Sequence, residues 1–145
     1  MAKKTERSSH NKTVKSSILL IEDEPMICDV YQAAFRKTPY KFLIARNKEE
    51  GMAAIFSKRP LLILLDLMIP ISNDLVIEYD HPVGFDLLEM IKQSDVTHDA
   101  HVFIITNSES REHEDHAKRL GVDKFFIKAN TTPQTLVREV IKVLG

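Results

Sequence analysis

Chemistry-bearing side chains stand where the apolar runs of this chain stop. Glu22 and Asp23 follow SILLI (17–21), Asp66 follows LLILL (61–65), Thr106 closes HVFIIT (101–106) and Lys128 closes KFFIK (124–128). Taken singly, each has a plain structural explanation. An acid after a strand usually caps a helix or shapes a turn, Thr106 is a β-branched strand residue, and Lys128 is a solvated charge. Asp66 is harder to pass over, because LLILLDLMIP is otherwise apolar and an ionised carboxylate withdrawn from water needs a partner. Brought to one edge, three carboxylates would repel each other unless a cation intervened. All-oxygen ligands favour a hard ion, and a few carboxylates with water and phosphate suit Mg²⁺. Asp66 would then act as a nucleophile towards phosphorus, with Lys128 and Thr106 touching phosphoryl oxygens.

That chemistry requires elements that carry these four run ends to one place. The runs, with YKFLIA (40–45) as the fifth, are short, rich in Ile, Leu, Val and Phe, and lack strict alternation. Such runs are strands buried on both faces. Between them lie segments with helical spacing. PMICDVYQAAFRK sets Met26, Val30, Ala33 and Ala34 on one side; NKEEGMAAIFSKR opens at an Asn47 cap with Glu49 and Glu50 in its first turn. GFDLLEMIKQ repeats Phe85, Leu88 and Ile91; SESREHEDHAKRLG has a Ser108 cap and closes at Gly121; TTPQTLVREVIKVLG has Pro133 in its first turn and spaces Leu136, Val140 and Val143 for burial. Strand and helix alternating five times predicts an α/β fold, a parallel sheet with helices on both faces. In such a sheet, ligands bind outside the carboxyl ends of the strands, which is where these acids fall.

The totals narrow the classes. The 145 residues suit one domain with one sizeable core, and 43% hydrophobic, 28% charged and net charge −1 give no strong attraction to nucleic acid or an anionic membrane. No apolar run approaches the ~20 residues of a membrane helix. A lone Cys28 permits no internal disulfide and suits the reducing cytoplasm. Residues 1–16 are basic, polar and Ser-rich without an apolar segment, predicting a disordered tail ahead of a domain over 17–145. His113 and His116, near Glu112 and Asp115, read as part of a charged helix face rather than a metal site.

With these residues in place, the sequence resembles the receiver domains of two-component response regulators over roughly 17–144. ILLIEDEP is similar to the family's acidic pair, LLILLDLMIP to its phospho-acceptor segment, FIITN to its fourth strand and GVDKFFIKA to its last. The resemblance implies a flavodoxin-like, doubly wound (βα)5 sandwich with sheet order 2-1-3-4-5. It implies Asp66 as phosphoacceptor, and Mg²⁺ held by Glu22, Asp23, Asp66 and the backbone carbonyl of Met68. Thr106, Lys128 and Phe125 become the phosphoryl-contacting and switch residues, with Asn107, Ser108 and Ala129 modulating. The phosphoryl donor is a sensor histidine kinase or histidine phosphotransfer protein. Thr106 and Phe125 move on phosphorylation and alter affinity for a downstream protein, so the chain is a signalling receiver rather than an enzyme. With no segment sized for an output domain, a stand-alone receiver is expected, binding neither nucleic acid nor membrane.

Three departures accompany the resemblance. Asn107 is larger than the family's usual small residue, and Ala129 replaces its usual proline, leaving the Lys128–Ala129 isomer open. The connection at about 71–83, ISNDLVIEYDHPV, is about ten residues longer than in the family. There LVIEY can form an added strand, and Asp74, Glu78, Asp80 and His81 can face the site as a lid or partner-selecting flap; a solvated excursion explains them equally. Two other classes compete: a binding module of the same fold that is never phosphorylated, and a metal-dependent phosphohydrolase. The latter would want a second acid where Met68 stands.

Overall fold

A computed structural model describes residues 17–73 and 82–145. The tail expected over 1–16, and the part of the insertion with the added strand and Asp74, Glu78, Asp80 and His81, lie outside the described residues. The strands are β1 (Ser17–Ile21), β2 (Lys41–Ala45), β3 (Leu62–Leu65), β4 (His101–Thr106) and β5 (Lys124–Ile127). The helices are α1 (Pro25–Phe35), α2 (Lys48–Lys58), α3 (Gly84–Gln93), α4 (Arg111–Arg119) and α5 (Pro133–Leu144). All four strand pairings are parallel and the order is β2-β1-β3-β4-β5, as the resemblance implied.

The missing alternation in the apolar runs has its explanation in two cores. Successive side chains of a strand point to opposite faces. Leu19, Ile21, Ile63, Leu65, Val102 and Ile104 pack with Ile55, Phe85, Leu88, Ile91 and Ala117 of α2, α3 and α4. Ile18, Leu20, Leu62, Leu64, Phe103 and Ile105 pack with Cys28, Tyr31, Phe35, Leu136 and Val140 of α1 and α5. The central β1, β3 and β4 are therefore buried along nearly their whole length, while edge strands β2 and β5 are only part-buried.

Two local readings are corrected. The buried stripe of α1 is Cys28, Tyr31 and Phe35, whereas Met26 is 72% and Val30 45% exposed. Aromatic side chains withdraw about 150–250 Å² each, so Tyr31 and Phe35 set the phase of the helix over a stripe of smaller residues. Phe35 further stacks on Phe42 of β2 at 5.0 Å. The cap of α4 is Ser110, whose Oγ accepts from His113 N, not Ser108. Elsewhere the punctuation is as expected. Asn47 Oδ1 accepts from Glu50 N at 2.8 Å, Thr132 caps α5 ahead of Pro133, and Gly121 takes a φ of +91° behind α4. No helix among the described residues is long and apolar enough to cross a membrane.

Candidate functional site

The order of the sheet reverses direction between β1 and β3, which leaves a crevice at their carboxyl ends. Main-chain hydrogen bonds carry the acids into it. Glu22 N donates to Ala45 O at the end of β2, and Asp66 N donates to Ile21 O at the end of β1. One carboxylate oxygen from each of Glu22, Asp23 and Asp66 lies within 4.8 Å of the others. Asp23 is part-exposed, but Glu22 is 1% and Asp66 4% exposed. The run LLILLDLMIP thus places its acid at a boundary that is topologically open yet nearly closed by neighbouring side chains.

Lys128 supplies the cation these acids need. It opens a single 3-10 turn (Lys128–Asn130) directly after β5, and its Nζ donates to Asp66 Oδ2 at 2.7 Å while pairing with Glu22 Oε1. Met68 N donates to Asp66 Oδ1 at 3.0 Å, and Glu24 N to Glu22 Oε2 at 3.2 Å. Burial pushes the Glu22 carboxyl up to about 7, helped by the neighbouring Asp66 charge and opposed by Lys128. Asp66 is raised by burial too, against the pull of Lys128, the Met68 amide and the Thr106 hydroxyl. Burial disfavours the Lys128 ammonium, but Asp66 and Glu22 outweigh it and its pKa is raised. With all three acids ionised, one lysine leaves two negative charges unmatched in an oxygen-only donor set. That set fits a hard divalent ion; the 4.8 Å span is near the ~4.2 Å between opposite oxygens around Mg²⁺.

Thr106 is fully buried and its hydroxyl faces Asp66, while its Oγ1 accepts from Ser108 N at 3.3 Å. Phe125 pairs with Ile104 and packs, half-buried, on the α3–α4 side of the sheet. Asn107 is exposed and, with Met68 and Ser108, borders a cleft of about 720 Å³ over the acids. Ala129 lies exposed on the turn, one residue beyond the site; no peptide bond among the described residues is cis, so Lys128–Ala129 is trans.

Two features escaped the sequence reading. Gly84 seals α3 against the acceptor segment: its N donates to Leu67 O, and a Cβ there would fall 2.6 Å from Asp66 O and from Leu67 Cα. The glycine is required by this close approach, which only a contact distant in sequence reveals. His113 and His116 are also not a solvated face. Phe85 stacks on the His116 ring at 4.3 Å and meets the His113 ring edge-on at 5.6 Å, and His113 borders the cleft. Where the insertion begins, Pro70 O and Ile71 O accept from Lys48 N and Glu49 N at the start of α2, and Asn73 Oδ1 accepts from Asn47 Nδ2.

Known proteins share this frame. The family model for the response regulator receiver domain matches residues 18–141. The phosphate regulon transcriptional regulatory protein PhoB of Pseudomonas aeruginosa is 27% identical over 131 residues, 90% of this chain and 52% of the relative. The chain therefore spans about half the length of that relative. The solved signal receiver domain of a DNA binding response regulator protein (merR) from Colwellia psychrerythraea 34H is 26% identical, with a TM-score of 0.73 over 88% of this chain and 96% of the other. A CheY-like receiver domain protein from Methanospirillum hungatei JF-1 shares the fold at a TM-score of 0.75 and 23% identity, over 90% and 94% of the two chains.

Proposed function

Because the chain belongs to the response regulator receiver domain family, we propose that it accepts a phosphoryl group on Asp66 from a histidine kinase or histidine phosphotransfer protein. Receiver domains are signalling modules, and the output of this one is a changed affinity for a protein partner. The observation that carries the reading is the buried Lys128 ammonium shared between Glu22 and Asp66, beside an acid cluster still short of positive charge. Glu22, Asp23 and Asp66, with the Met68 carbonyl, would hold Mg²⁺, which when bound neutralises charge on the transferring group.

The chain's own residues divide the remaining work. An Asp66 carboxylate oxygen attacks phosphorus in line while the phosphorus–nitrogen bond of the donor breaks. Lys128 Nζ already donates to Asp66 Oδ2, and the Thr106 hydroxyl lies beside the same carboxylate, so both are near at hand for the incoming phosphoryl oxygens. Once Asp66 carries the phosphoryl group as an acyl phosphate, the negative charge sits on the phosphoryl oxygens, and Lys128 and Thr106 transfer their contacts to them. Phe125, on the same face and two residue pairs inward from Thr106, responds to that movement, and the β4–α4–β5 side of the domain shifts its population. Asn107 and Ser108 on the cleft border, and Ala129 beyond Lys128, set how readily water reaches the phosphoryl group.

The test is incubation with Mg²⁺ and acetyl phosphate, followed by the mass of the intact protein. One added phosphoryl group, absent in Asp66→Asn, is the expected result. No adduct from any donor would instead favour a binding module that works unmodified, and continuous phosphate release from small esters a phosphohydrolase.

A further inference from the structure

The loop between β4 and α4 is fastened from both ends at Ser108. Its main-chain N–H donates to Thr106 Oγ1 at 3.3 Å, and its hydroxyl meets His113 Nδ1 at 2.6 Å. Ser110 N also donates to Ser108 Oγ, and Ser110 Oγ accepts from His113 N. His113 therefore closes a small polar circuit whose far end is the hydroxyl facing Asp66. The imidazole is braced in turn: its ring stands edge-on to Phe85, the residue after the glycine that seats α3 on the Asp66 main chain. It also borders the cleft that contains Asp66 and Lys128.

We propose that His113 is a positioning residue for phosphoryl transfer at Asp66, acting by fixing Ser108 and, through its amide, the Thr106 hydroxyl. The inference deepens the reading of Asp66 as acceptor and rests on it. A serine hydroxyl rotates freely unless a partner holds it, and this one must also receive the Ser110 N–H. His113 Nδ1 is the partner that leaves Oγ correctly turned for that second bond. Without it, the Ser108 side chain keeps only the longer contact from Ser110 N, and Thr106 Oγ1 loses its fixed donor. The Thr106 hydroxyl is then turned towards Asp66 for a smaller fraction of time, and each transfer waits for it to return.

Three substitutions test the circuit. His113→Phe keeps a ring against Phe85 and removes the nitrogen; His113→Asn keeps a polar atom near the position of Nδ1; Ser108→Ala cuts the same bond from the other side. The readouts are the rate of phosphoryl incorporation from acetyl phosphate with Mg²⁺, and amide exchange at Ser108 in the unmodified protein. His113→Phe is expected to slow incorporation roughly three- to tenfold, the worth of one net hydrogen bond, and to speed exchange at Ser108. His113→Asn restores most of the rate, and the Ser108→Ala/His113→Phe double variant is no slower than either single one. Wild-type incorporation by His113→Phe, failure of His113→Asn to rescue, or unchanged Ser108 exchange would each overturn the proposal. Absence of an adduct in the wild type would refute the Asp66 reading instead, and the exchange measurement would still decide whether His113 holds the loop.

Discussion

Glu22→Gln turns the buried charge of this site into a measurable slope. In the folded protein the Glu22 carboxyl holds its proton to about pH 7, against an ordinary value of 4.5. Between those values the unfolded chain has released a proton that the folded chain keeps, so stability falls as pH rises from 4.5 to 7 and stays lowered above. At about 1.4 kcal/mol for each pH unit, the passage removes about 3 kcal/mol. Lys128 adds no slope in this window, because its raised pKa stabilises the fold fully at every pH below 10.5. Glutamine preserves the shape and the acceptor for Glu24 N but cannot ionise. Burial raises Asp66 as well and gives both proteins a decline of the same sign. Urea unfolding in EDTA from pH 4.5 to 8 is therefore expected to show a steeper decline in the wild type than in the variant, which becomes the more stable protein at pH 8. Adding Mg²⁺ reverses that order, since a ligand at a hundred times its Kd stabilises by about 2.7 kcal/mol and the variant has lost one carboxylate of the site. Parallel pH profiles in EDTA, or equal protection of both proteins by Mg²⁺, would refute the reasoning.

Two further substitutions probe the surroundings of the acids. Lys128→Met leaves Glu22 and Asp66 buried without their ammonium, and is expected to cost about 3–5 kcal/mol in EDTA, part of it recovered with Mg²⁺; urea midpoints in the two conditions measure both. Gly84→Ala drives a methyl group into main-chain atoms of Asp66 and Leu67, so a loss of about 1–3 kcal/mol or more is expected, together with slower phosphoryl incorporation. A variant that kept full stability and rate would show that α3 has room to move away.

What the sequence made legible follows from how local each signal is. The apolar runs of β1, β3 and β4 carry no alternation because helices cover both faces, and the residues at their ends reach one edge because parallel strands end together. The strand order is a different matter: nothing in the runs says that β1 lies between β2 and β3, and only the family likeness supplied it. The face of α1 was misread because Met26–Val30–Ala33 and Cys28–Tyr31–Phe35 both have helical spacing, and the larger aromatic area decides between them. Ser108 and Ser110 are equally good caps by type; the loop places Ser110 under the helix and gives the Ser108 hydroxyl to His113. The inward turn of His113 and His116 depends on Phe85, which comes from another helix and left no local trace.

The anchoring around the long connection has an engineering consequence. On one side Pro70 and Ile71 are laced to α2 and Asn73 is held by Asn47; on the other, Gly84 is seated on Leu67. Both attachments are made by residues outside 74–81, so each described flank of the connection has its own anchor, one on α2 and one on the acceptor segment. A reporter peptide spliced between Asn73 and Pro82, with phosphoryl incorporation timed before and after, would measure whether these two anchors alone suffice to hold the acceptor segment in place.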